Sequence, residues 1–342
     1  MEVEKMKINN RRYIGNKYKL LDFIYKNITK LGYDNTNSFF DVFAGTGVVA
    51  NYFADKGYKT ILNDNLYSNS IIYKAFLGNG QIDEIKINNY IDYYNKLNPT
   101  QLNGNYFSNI YSQKYFSIND AKLIGYIRDD IENNKNLLSE REYCYLITSL
   151  LYATDKIANT VGHFESYLKH EPIDKGVHLE KLEINHEIIP ADIYNEDSNC
   201  LAKNIVSDIA YIDPPYNARQ YVNFYHVLEN LARWNKPNEF EGDSMKFKRN
   251  ELKSGYCRRN KAKFLFEELI NSLQTRLIVV SYNNTYDAKS SSSNNTLLPE
   301  EILAILNKKG KVTIKKENYK TFNAGKTDLK GHKEILYICE VK

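Results

Sequence analysis

Residues 205–216 read IVSDIAYIDPPY, in which a mostly apolar run is followed at once by an acid, two prolines and an aromatic residue. Such a run is typical of a strand buried in a parallel sheet. Pro214 and Pro215 stiffen the turn after it and remove two backbone donors. Because α/β sheets bind ligands outside the carboxyl ends of their strands, we expect a functional site at this turn.

The turn presents three groups that suit a planar ring bearing an amino group. The Asp213 carboxylate and the Pro214 carbonyl can accept the two N–H bonds of an exocyclic amine, while Tyr216 can stack on the ring. Binding the amine in this way directs its nitrogen lone pair toward an electrophile such as a methyl group. An ordinary proline-rich loop is the alternative, but such a loop rarely combines these residue types at a strand end. We therefore predict that Asp213, Pro214, Pro215 and Tyr216 are catalytic residues.

A strand, a glycine turn and a helix are also indicated earlier in the chain. An apolar run that contains Asp41 leads to Gly45 and Gly47 and then to a helical pattern. Glycines allow a tight turn and the close approach of a ligand, and free amides at a helix start favour a carboxylate or phosphate. The next strand, residues 59–63, ends before Asp64, where an acid can bind ribose hydroxyls. A plain turn and a surface aspartate are the alternatives, since the third glycine of the dinucleotide fingerprint is absent.

Strand and helix patterns alternate on both sides of a long middle segment. A strand at residues 276–282 joins those named above, and together they predict an α/β fold with a mostly parallel sheet. Residues 311–319 and 334–341 flank Gly325 and Gly331 and predict an antiparallel hairpin at the edge of that sheet.

The middle segment has a mainly helical pattern. Residues 139–157 form its clearest helix, because Ser139 and Glu142 stand where a capping box would start it. The expected domains are a catalytic domain, residues 1–67 and 186–342, and a helical insertion, residues 68–185.

The composition excludes several classes of protein. The 342 residues are 42% hydrophobic, enough for one large domain with an insertion, and the formal net charge of +4 is compatible with a nucleic-acid partner. The four cysteines are scattered without a CxxC pair, so neither a zinc site nor a disulfide framework is expected. No signal peptide is visible, and no apolar run reaches the ~18 residues that a membrane helix needs. We expect a cytoplasmic protein without a metal or a membrane span.

Taken together, these motifs resemble those of the D12 class of N6-adenine-specific DNA methyltransferases, the group that contains Dam-type enzymes. Residues 12–21, RYIGNKYKLL, look like the first motif of that family, and residues 41–47, DVFAGTG, are similar to its cofactor loop. The resemblance implies a Rossmann-like methyltransferase sheet with S-adenosylmethionine as cofactor. The cofactor-binding residues that it implies are Tyr13, Lys17, Asp41, Phe43, Gly45, Thr46, Gly47, Asp64, Asp192 and Asp213.

Later parts of the chain extend the resemblance. Residues 279–284, VVSYNN, are similar to a later strand of the family, and residues 321–333 look like the loop of its terminal hairpin. The order of the motifs is that of the α-type amino-methyltransferases, which carry a target-recognition domain where the helical insertion falls. The implied reaction is methyl transfer to the N6 amino group of an adenine flipped out of double-stranded DNA.

The resemblance also implies a biological setting. The enzyme would belong to a restriction–modification system, with a cognate restriction endonuclease as its functional partner, or would be a free-standing regulatory methylase. A monomer suffices, because each strand can be methylated separately.

Basic residues in three parts of the chain are candidates for DNA contacts. They lie beside the first motif, in the insertion, and along a basic stretch at residues 246–263. Phosphate contacts would supply affinity and a few base contacts specificity, whereas any single lysine is more often a solvated surface residue. The DNA-binding residues predicted are Arg12, Lys156, Arg219, Arg258, Arg259 and Lys261.

Two other functions stay open at this point. Amino-group methyltransferases of RNA or of protein glutamine commonly carry Asn where Asp213 stands, and enzymes that methylate the cytosine amino group more typically carry Ser. A non-catalytic nucleic-acid-binding protein could keep the fold, but the presence of Gly45, Asp64 and Tyr216 argues against it.

Overall fold

The computed structural model of the chain describes residues 5–286, 293–318 and 332–342. The loop expected between the last two strands, with Gly325 and Gly331, lies outside these residues. Within them, no helix is long and apolar enough to cross a membrane. The described strands are β1 (Ser38–Asp41), β2 (Lys59–Asn63), β3 (Asp192–Tyr194), β4 (Val206–Ile212), β5 (Phe240–Glu241), β6 (Lys246–Phe247), β7 (Gln274–Asn283), β8 (Gly310–Asn318) and β9 (Lys333–Val341). The described α-helices are α1 (Leu21–Thr29), α2 (Val48–Asp55), α3 (Tyr67–Leu77), α4 (Glu84–Asn95), α5 (Tyr106–Tyr111), α6 (Ile118–Asn133), α7 (Glu140–Ile157), α8 (Ser198–Ala202), α9 (Tyr221–Arg233), α10 (Arg259–Ser272) and α11 (Pro299–Lys309).

Seven of the described strands form one sheet in the order β3-β2-β1-β4-β7-β9-β8. The first five of these run parallel, and β9 pairs antiparallel with both β7 and β8. This order confirms the expected α/β fold, a mostly parallel Rossmann-like sheet with an antiparallel pair at its edge. The sequence patterns missed β3, because three residues are too few to show a period.

Apolar side chains cover both faces of the sheet, because adjacent residues of a strand point to opposite sides. On one face, Phe39 and Ile209 pack with residues of α1 and α2. On the other, Phe40 and Ala210 pack with residues of α10 and α11. Each fully buried phenylalanine contributes about 1.5–3 kcal/mol relative to an exposed one. The sheet is therefore a well-packed support for the residues that follow its strands.

The register of the strands brings several acids to one edge of the sheet. Asp41 ends β1, which is in register with β2 on one side and β4 on the other. Asp64 directly follows β2, and Asp213 directly follows β4. Because β9 runs antiparallel to β7, its second residue, Glu334, also lies at this edge. We call it the carboxyl edge.

The described chain separates into two compact units, whose boundaries differ from the expected domains. We name them the sheet unit and the helical unit. The sheet unit comprises Ile14–Asn65, Glu187–Tyr221 and Leu252–Lys342, and the helical unit comprises Met1–Tyr13, Leu66–His186 and Val222–Glu251.

Two segments outside the expected insertion, residues 68–185, belong to the helical unit for local reasons. The backbone of Met6 pairs with the segment at Leu182. In α9, the side-chain amide of Asn230 donates to the hydroxyls of both tyrosines of α5. These contacts join segments far apart in the chain, so no local pattern reveals them.

The longest helix of the helical unit, α7, begins as its sequence predicts. The Ser139 hydroxyl accepts a hydrogen bond from the Glu142 amide at 3.2 Å. The Glu142 carboxylate in turn accepts one from the Ser139 amide at 2.8 Å. This reciprocal capping box confirms the helix start read from the sequence.

Candidate active site

The carboxylate of Asp213 directly follows β4 and is held by two side chains. Its Oδ2 forms an ion pair with Lys17 Nζ at 2.7 Å, and its Oδ1 accepts a hydrogen bond from the Tyr216 hydroxyl. Lys17 is buried, with 4% of its surface exposed, and also donates to the carbonyl of Gly15 at 3.2 Å. The sheet unit thus brings Lys17 of the first motif together with Asp213 and Tyr216.

Hydrogen bonds hold Tyr216 at its side-chain hydroxyl and at its backbone carbonyl. Its hydroxyl lies 2.8 Å from Glu334 Oε1, and its carbonyl accepts hydrogen bonds from the Tyr282 hydroxyl at 3.1 Å and the Thr296 amide at 2.6 Å. Lys17 Nζ lies 5.0 Å from the ring centroid, within the range of a cation–π interaction. These contacts hold the ring in one orientation.

Glu334 belongs to the same cluster, although the sequence did not identify it as a site residue. It is 3% exposed, and its Oε1 also accepts a hydrogen bond from Ser281 Oγ at 2.7 Å. The same oxygen lies 3.8 Å from Lys17 Nζ. Glu334 stands 118 residues after Tyr216, and only the pairing of β9 with β7 brings it there. The one local signal was an acid at the start of an apolar strand.

The glycine turn after β1 has the backbone that its sequence predicts. Gly45 and Gly47 have φ values of 55° and 76°, in the left-handed region that glycine adopts without a steric penalty. The Gly45 amide donates to Asp64 Oδ2 at 2.9 Å. The turn and the acid after β2 are therefore joined directly.

Two other residues of the turn are fixed by packing within the sheet unit. The ring of Phe43 lies edge-on to that of Tyr256, with centroids 5.1 Å apart. Thr46 is buried, and its hydroxyl accepts a hydrogen bond from the Val48 amide at 3.4 Å. The backbone of the turn is thus held between β1 and α2.

Asp41 is a buried acid at the carboxyl edge, where it ends β1 between β2 and β4. It is 1% exposed, and neither of its oxygens has a hydrogen-bond partner among the described residues. Burial raises the pKa of Asp41 well above its usual value, and the neighbouring Asp213 and Asp64 raise it further. Because buried polar atoms are nearly always paired, this carboxylate is an acceptor suited to a cationic or N–H-bearing ligand.

Burial also changes the titration of Asp213 and Tyr216. It raises the pKa of Asp213, which Lys17 opposes and Glu334 reinforces. Burial and the two nearby carboxylates raise the pKa of Tyr216 well above 10.0. The hydroxyl of Tyr216 therefore keeps its proton at neutral pH and acts as a donor.

Two residues implied by the resemblance lie in other surroundings. Tyr13 belongs to the helical unit, where its ring stacks on Tyr225 with centroids 4.6 Å apart and an interplanar angle of 3°. Asp192 is exposed and forms an ion pair at 3.2 Å with Lys59, the first residue of β2. That position is at the amino end of β2, so the structure does not place Asp192 in the cluster at the carboxyl edge.

The two DNA-binding candidates of the helical unit already contact acids. The Arg12 amide donates to Asp155 Oδ2 at 3.1 Å, and the guanidinium lies 3.4 Å from Asp155 Oδ1. Lys156, which is largely exposed, pairs with Glu180 at 2.7 Å. Both cations would have to share or exchange these partners in order to bind phosphate.

The four candidates of the sheet unit are exposed. Arg219 lies shortly after the turn of residues 213–216, which we call the DPPY turn, and Arg258 precedes α10, whose first turn holds Arg259 and Lys261. Arg259 also pairs with Glu301 at 3.4 Å. The region after Tyr216 therefore presents positive charge to solvent.

The basic stretch at residues 246–263 is divided between the two units. Its first residues belong to the helical unit and its last residues to the sheet unit. Arg249 is 6% exposed, and its guanidinium binds Glu241 at 3.1 Å and Asn223 at 2.9 Å. Arg249 thus supports the fold of the helical unit, and its side chain is not presented to solvent.

Comparison with known proteins shows the family to which the chain is similar. The chain matches the family described as D12 class N6 adenine-specific DNA methyltransferase over residues 13–288. It is 37% identical over 289 residues to Modification methylase StsI of Streptococcus sanguinis, a match that covers 80% of this chain and 44% of that protein. It is 34% identical over 316 residues to Type II methyltransferase M.FokI of Planomicrobium okeanokoites, covering 87% of this chain and 47% of that protein.

A third relative is similar in length. The chain is 31% identical over 342 residues to Type II methyltransferase M.NlaIII of Neisseria lactamica, covering 96% of this chain and 98% of that protein. The chain therefore spans about half the length of the StsI and M.FokI proteins and nearly all of M.NlaIII. Since the family match includes the glycine turn and the DPPY turn, the chain belongs to the D12 class N6 adenine-specific DNA methyltransferases.

Proposed function

We propose that this chain transfers a methyl group from S-adenosylmethionine to the N6 amino group of adenine at specific sites in double-stranded DNA. The observation that carries the proposal is the position of Asp213, held between Lys17 and Tyr216 at the carboxyl edge. Family membership supports adenine as the base. The relatives are named modification methylases or type II methyltransferases, which supports a restriction–modification setting with a cognate endonuclease. The enzyme would act in the cytoplasm, and a monomer suffices.

The residues of the carboxyl edge suit S-adenosylmethionine, which supplies an electrophilic methyl group when bound. Asp41 offers a buried carboxyl group, whose oxygens have no hydrogen-bond partner among the described residues and which a cationic ligand would favour in its charged form. Asp64 is placed to accept hydrogen bonds from ribose hydroxyls, and the turn at Gly45 and Gly47 allows close approach of the backbone. The cofactor-binding residues proposed are Lys17, Asp41, Phe43, Gly45, Thr46, Gly47, Asp64 and Asp213. For Tyr13 and Asp192, a cofactor contact stays a prediction from the resemblance.

The DPPY turn would orient the amine. The Asp213 carboxylate and the Pro214 carbonyl accept the two N–H bonds of the adenine amine, and Pro215 keeps the turn stiff. The ring of Tyr216 stacks on the base, in the orientation fixed by its hydrogen bonds. Catalysis then comes from positioning and from groups already in place to stabilise charge.

A base within a duplex cannot reach a buried turn, so the adenine must be flipped out of the helix. The exposed cations after Tyr216 would hold the phosphates of the DNA around the flipped base. The DNA-binding residues proposed are Arg12, Lys156, Arg219, Arg258, Arg259 and Lys261.

Transfer of tritium from labelled S-adenosylmethionine identifies the substrate class. The purified chain is incubated with duplex DNA, with RNA and with protein, and nucleoside analysis locates the label. We expect label on DNA as N6-methyladenine. Label found only on RNA or protein, or on cytosine, would contradict the proposal.

The role of Asp213 is tested by Asp213→Ala. We expect kcat to fall by about 100-fold or more, because a buried acceptor for the amine is lost. Calorimetry should still detect cofactor binding through the other residues of the carboxyl edge, with a higher Kd. Asp208→Asn is the matched control. Asp208 lies on the same strand but binds Ser38 at the opposite end of the sheet, so this variant should keep its activity. Full activity of Asp213→Ala would refute the assigned role.

A further inference from the structure

Both carboxylate oxygens of Asp213 already accept a donor. Lys17 Nζ is 2.7 Å from Oδ2, and the Tyr216 hydroxyl donates to Oδ1. If Asp213 is to accept an N–H bond of adenine as well, competition from the Tyr216 hydroxyl weakens that bond. A second acceptor for the hydroxyl would remove the competition.

Glu334 provides such an acceptor without any movement of the chain. Its Oε1 lies 2.8 Å from the Tyr216 hydroxyl oxygen, within normal hydrogen-bond distance. The hydroxyl carries one proton, so it can donate fully to only one of the two carboxylates at a time. Rotation of the hydroxyl hydrogen alone transfers the bond from Asp213 to Glu334.

The rest of the surroundings keeps Glu334 ready for this exchange. Ser281 Oγ donates to the same oxygen at 2.7 Å, which fixes the carboxylate, and burial excludes competing water. Lys17 Nζ lies 3.8 Å from Glu334 but 2.7 Å from Asp213, so Asp213 is the nearer partner of the lysine.

We infer that Glu334 is a positioning residue, which takes over the Tyr216 hydroxyl when Asp213 accepts the amino group of adenine. The inference rests on the proposed function. In the free protein the hydroxyl belongs to Asp213, and with the base in place it belongs to Glu334. The exchange leaves the Tyr216 ring where its backbone contacts hold it and frees Asp213 Oδ1 for the substrate.

A double-mutant cycle tests this directly. Glu334→Ala should lower kcat about 10- to 100-fold, with little change in cofactor Kd or in KM for DNA. Glu334→Gln keeps an acceptor oxygen and should restore kcat to within about threefold of the wild type. Tyr216→Phe keeps the ring and removes the hydroxyl, so in that background Glu334→Ala should cost less than about threefold.

Glu340→Ala is the matched control, because it removes an exposed carboxylate from the opposite end of the same strand, β9. Its kcat should stay near that of the wild type, and melting temperatures of all variants show whether each is folded. If Glu334→Ala costs the same factor with and without the Tyr216 hydroxyl, the inference is overturned while the proposed function stands. If the wild type itself does not methylate adenine, the proposed function fails and this inference falls with it.

Discussion

Asp41 is the residue whose effect on the stability of the folded protein should depend most on whether a ligand is bound. Its carboxylate is buried at the end of β1, and among the described residues neither oxygen has a hydrogen-bond partner. Burying a charge without a partner opposes folding unless the group takes up a proton or meets a cation. Asp41 should therefore destabilise the free protein and stabilise the complex with a cationic cofactor.

Replacement of Asp41 by Asn should separate these two effects. The pKa of Asp41 is raised well above 3.8 in the folded state. With respect to this group, the protein is therefore most stable below pH 3.8, where the carboxyl group is protonated in both the folded and the unfolded state. Stability is lost as the pH rises through the folded-state pKa. The melting temperature of Asp41→Asn relative to the wild type should therefore increase with pH, while cofactor affinity falls about 10-fold or more. Thermal scans from pH 4 to 8 and calorimetry measure both.

Asp208 is a control for Asp41, because the pH dependence of its effect on stability should have the opposite sign. Burial raises its pKa, but the hydrogen bonds from Ser38 and the charge of Arg276 outweigh burial and lower it below 3.8. Its stabilising effect is therefore present above pH 3.8, and Asp208→Asn should lose stability near neutral pH without losing cofactor affinity. Equal pH profiles for the two variants would contradict the assignment of Asp41.

At this scale, a site residue could be inferred only where it stands in a local motif. Asp213 and Asp64 follow recognisable strands, and the carboxyl edge of a parallel sheet is where such acids meet. Glu334 follows no motif, because its place beside Tyr216 depends on the antiparallel pairing of β9 with β7. Asp192 was expected at the site from the resemblance, whereas its side chain is exposed and forms an ion pair with Lys59.

Among the elements, α7 offers the clearest test of a local signal. Ser139→Ala removes the hydroxyl that accepts the Glu142 amide, and loss of such a cap costs about 1 kcal/mol of stability. We expect a lower urea midpoint in circular dichroism, with kcat unchanged at 25 °C. Ser139→Asp keeps a capping oxygen and should restore the midpoint. An Ala variant as stable as the wild type would show that the cap contributes nothing.

Helices and strands could be predicted from the sequence where they show a hydrophobic pattern or a capping motif. The run that became β4 ends in four apolar residues, β2 contains the apolar pair Ile61 and Leu62, and α7 has its capping box. In contrast, β3, β5 and β6 have two or three residues each. These short strands depend on hydrogen bonds from a neighbouring strand. Because the local sequence does not show which strand will be the neighbour, they could not be predicted from it.

For the whole molecule, the division into units could not be inferred from sequence order alone. The backbone of Met6 bonds to the segment at residues 181–183, and α9 bonds to α5 through Asn230. Both contacts join parts of the chain on opposite sides of a catalytic motif. One segment of the helical unit ends at His186 and another covers Val222–Glu251, and no change in composition marks the second segment in the sequence.

The chain carries a formal net charge of +4. We therefore expect its affinity for DNA to fall as the salt concentration rises. Each phosphate contact contributes about −0.9 to the slope of log K against log salt concentration. Lys261→Ala and Arg258→Ala should therefore each lower the magnitude of the slope by about 1. Lys156→Ala should lower it less, because Glu180 already neutralises that lysine.

The control for these variants is Lys315→Ala, which removes an exposed cation from the middle of β8, an edge strand of the sheet. Its slope should equal that of the wild type in fluorescence-anisotropy titrations from 50 to about 300 mM salt. An unchanged slope in both Lys261→Ala and Arg258→Ala would remove the start of α10 from the DNA interface. A loss of slope in Lys315→Ala equal to theirs would mean that diffuse charge, rather than these two contacts, controls binding.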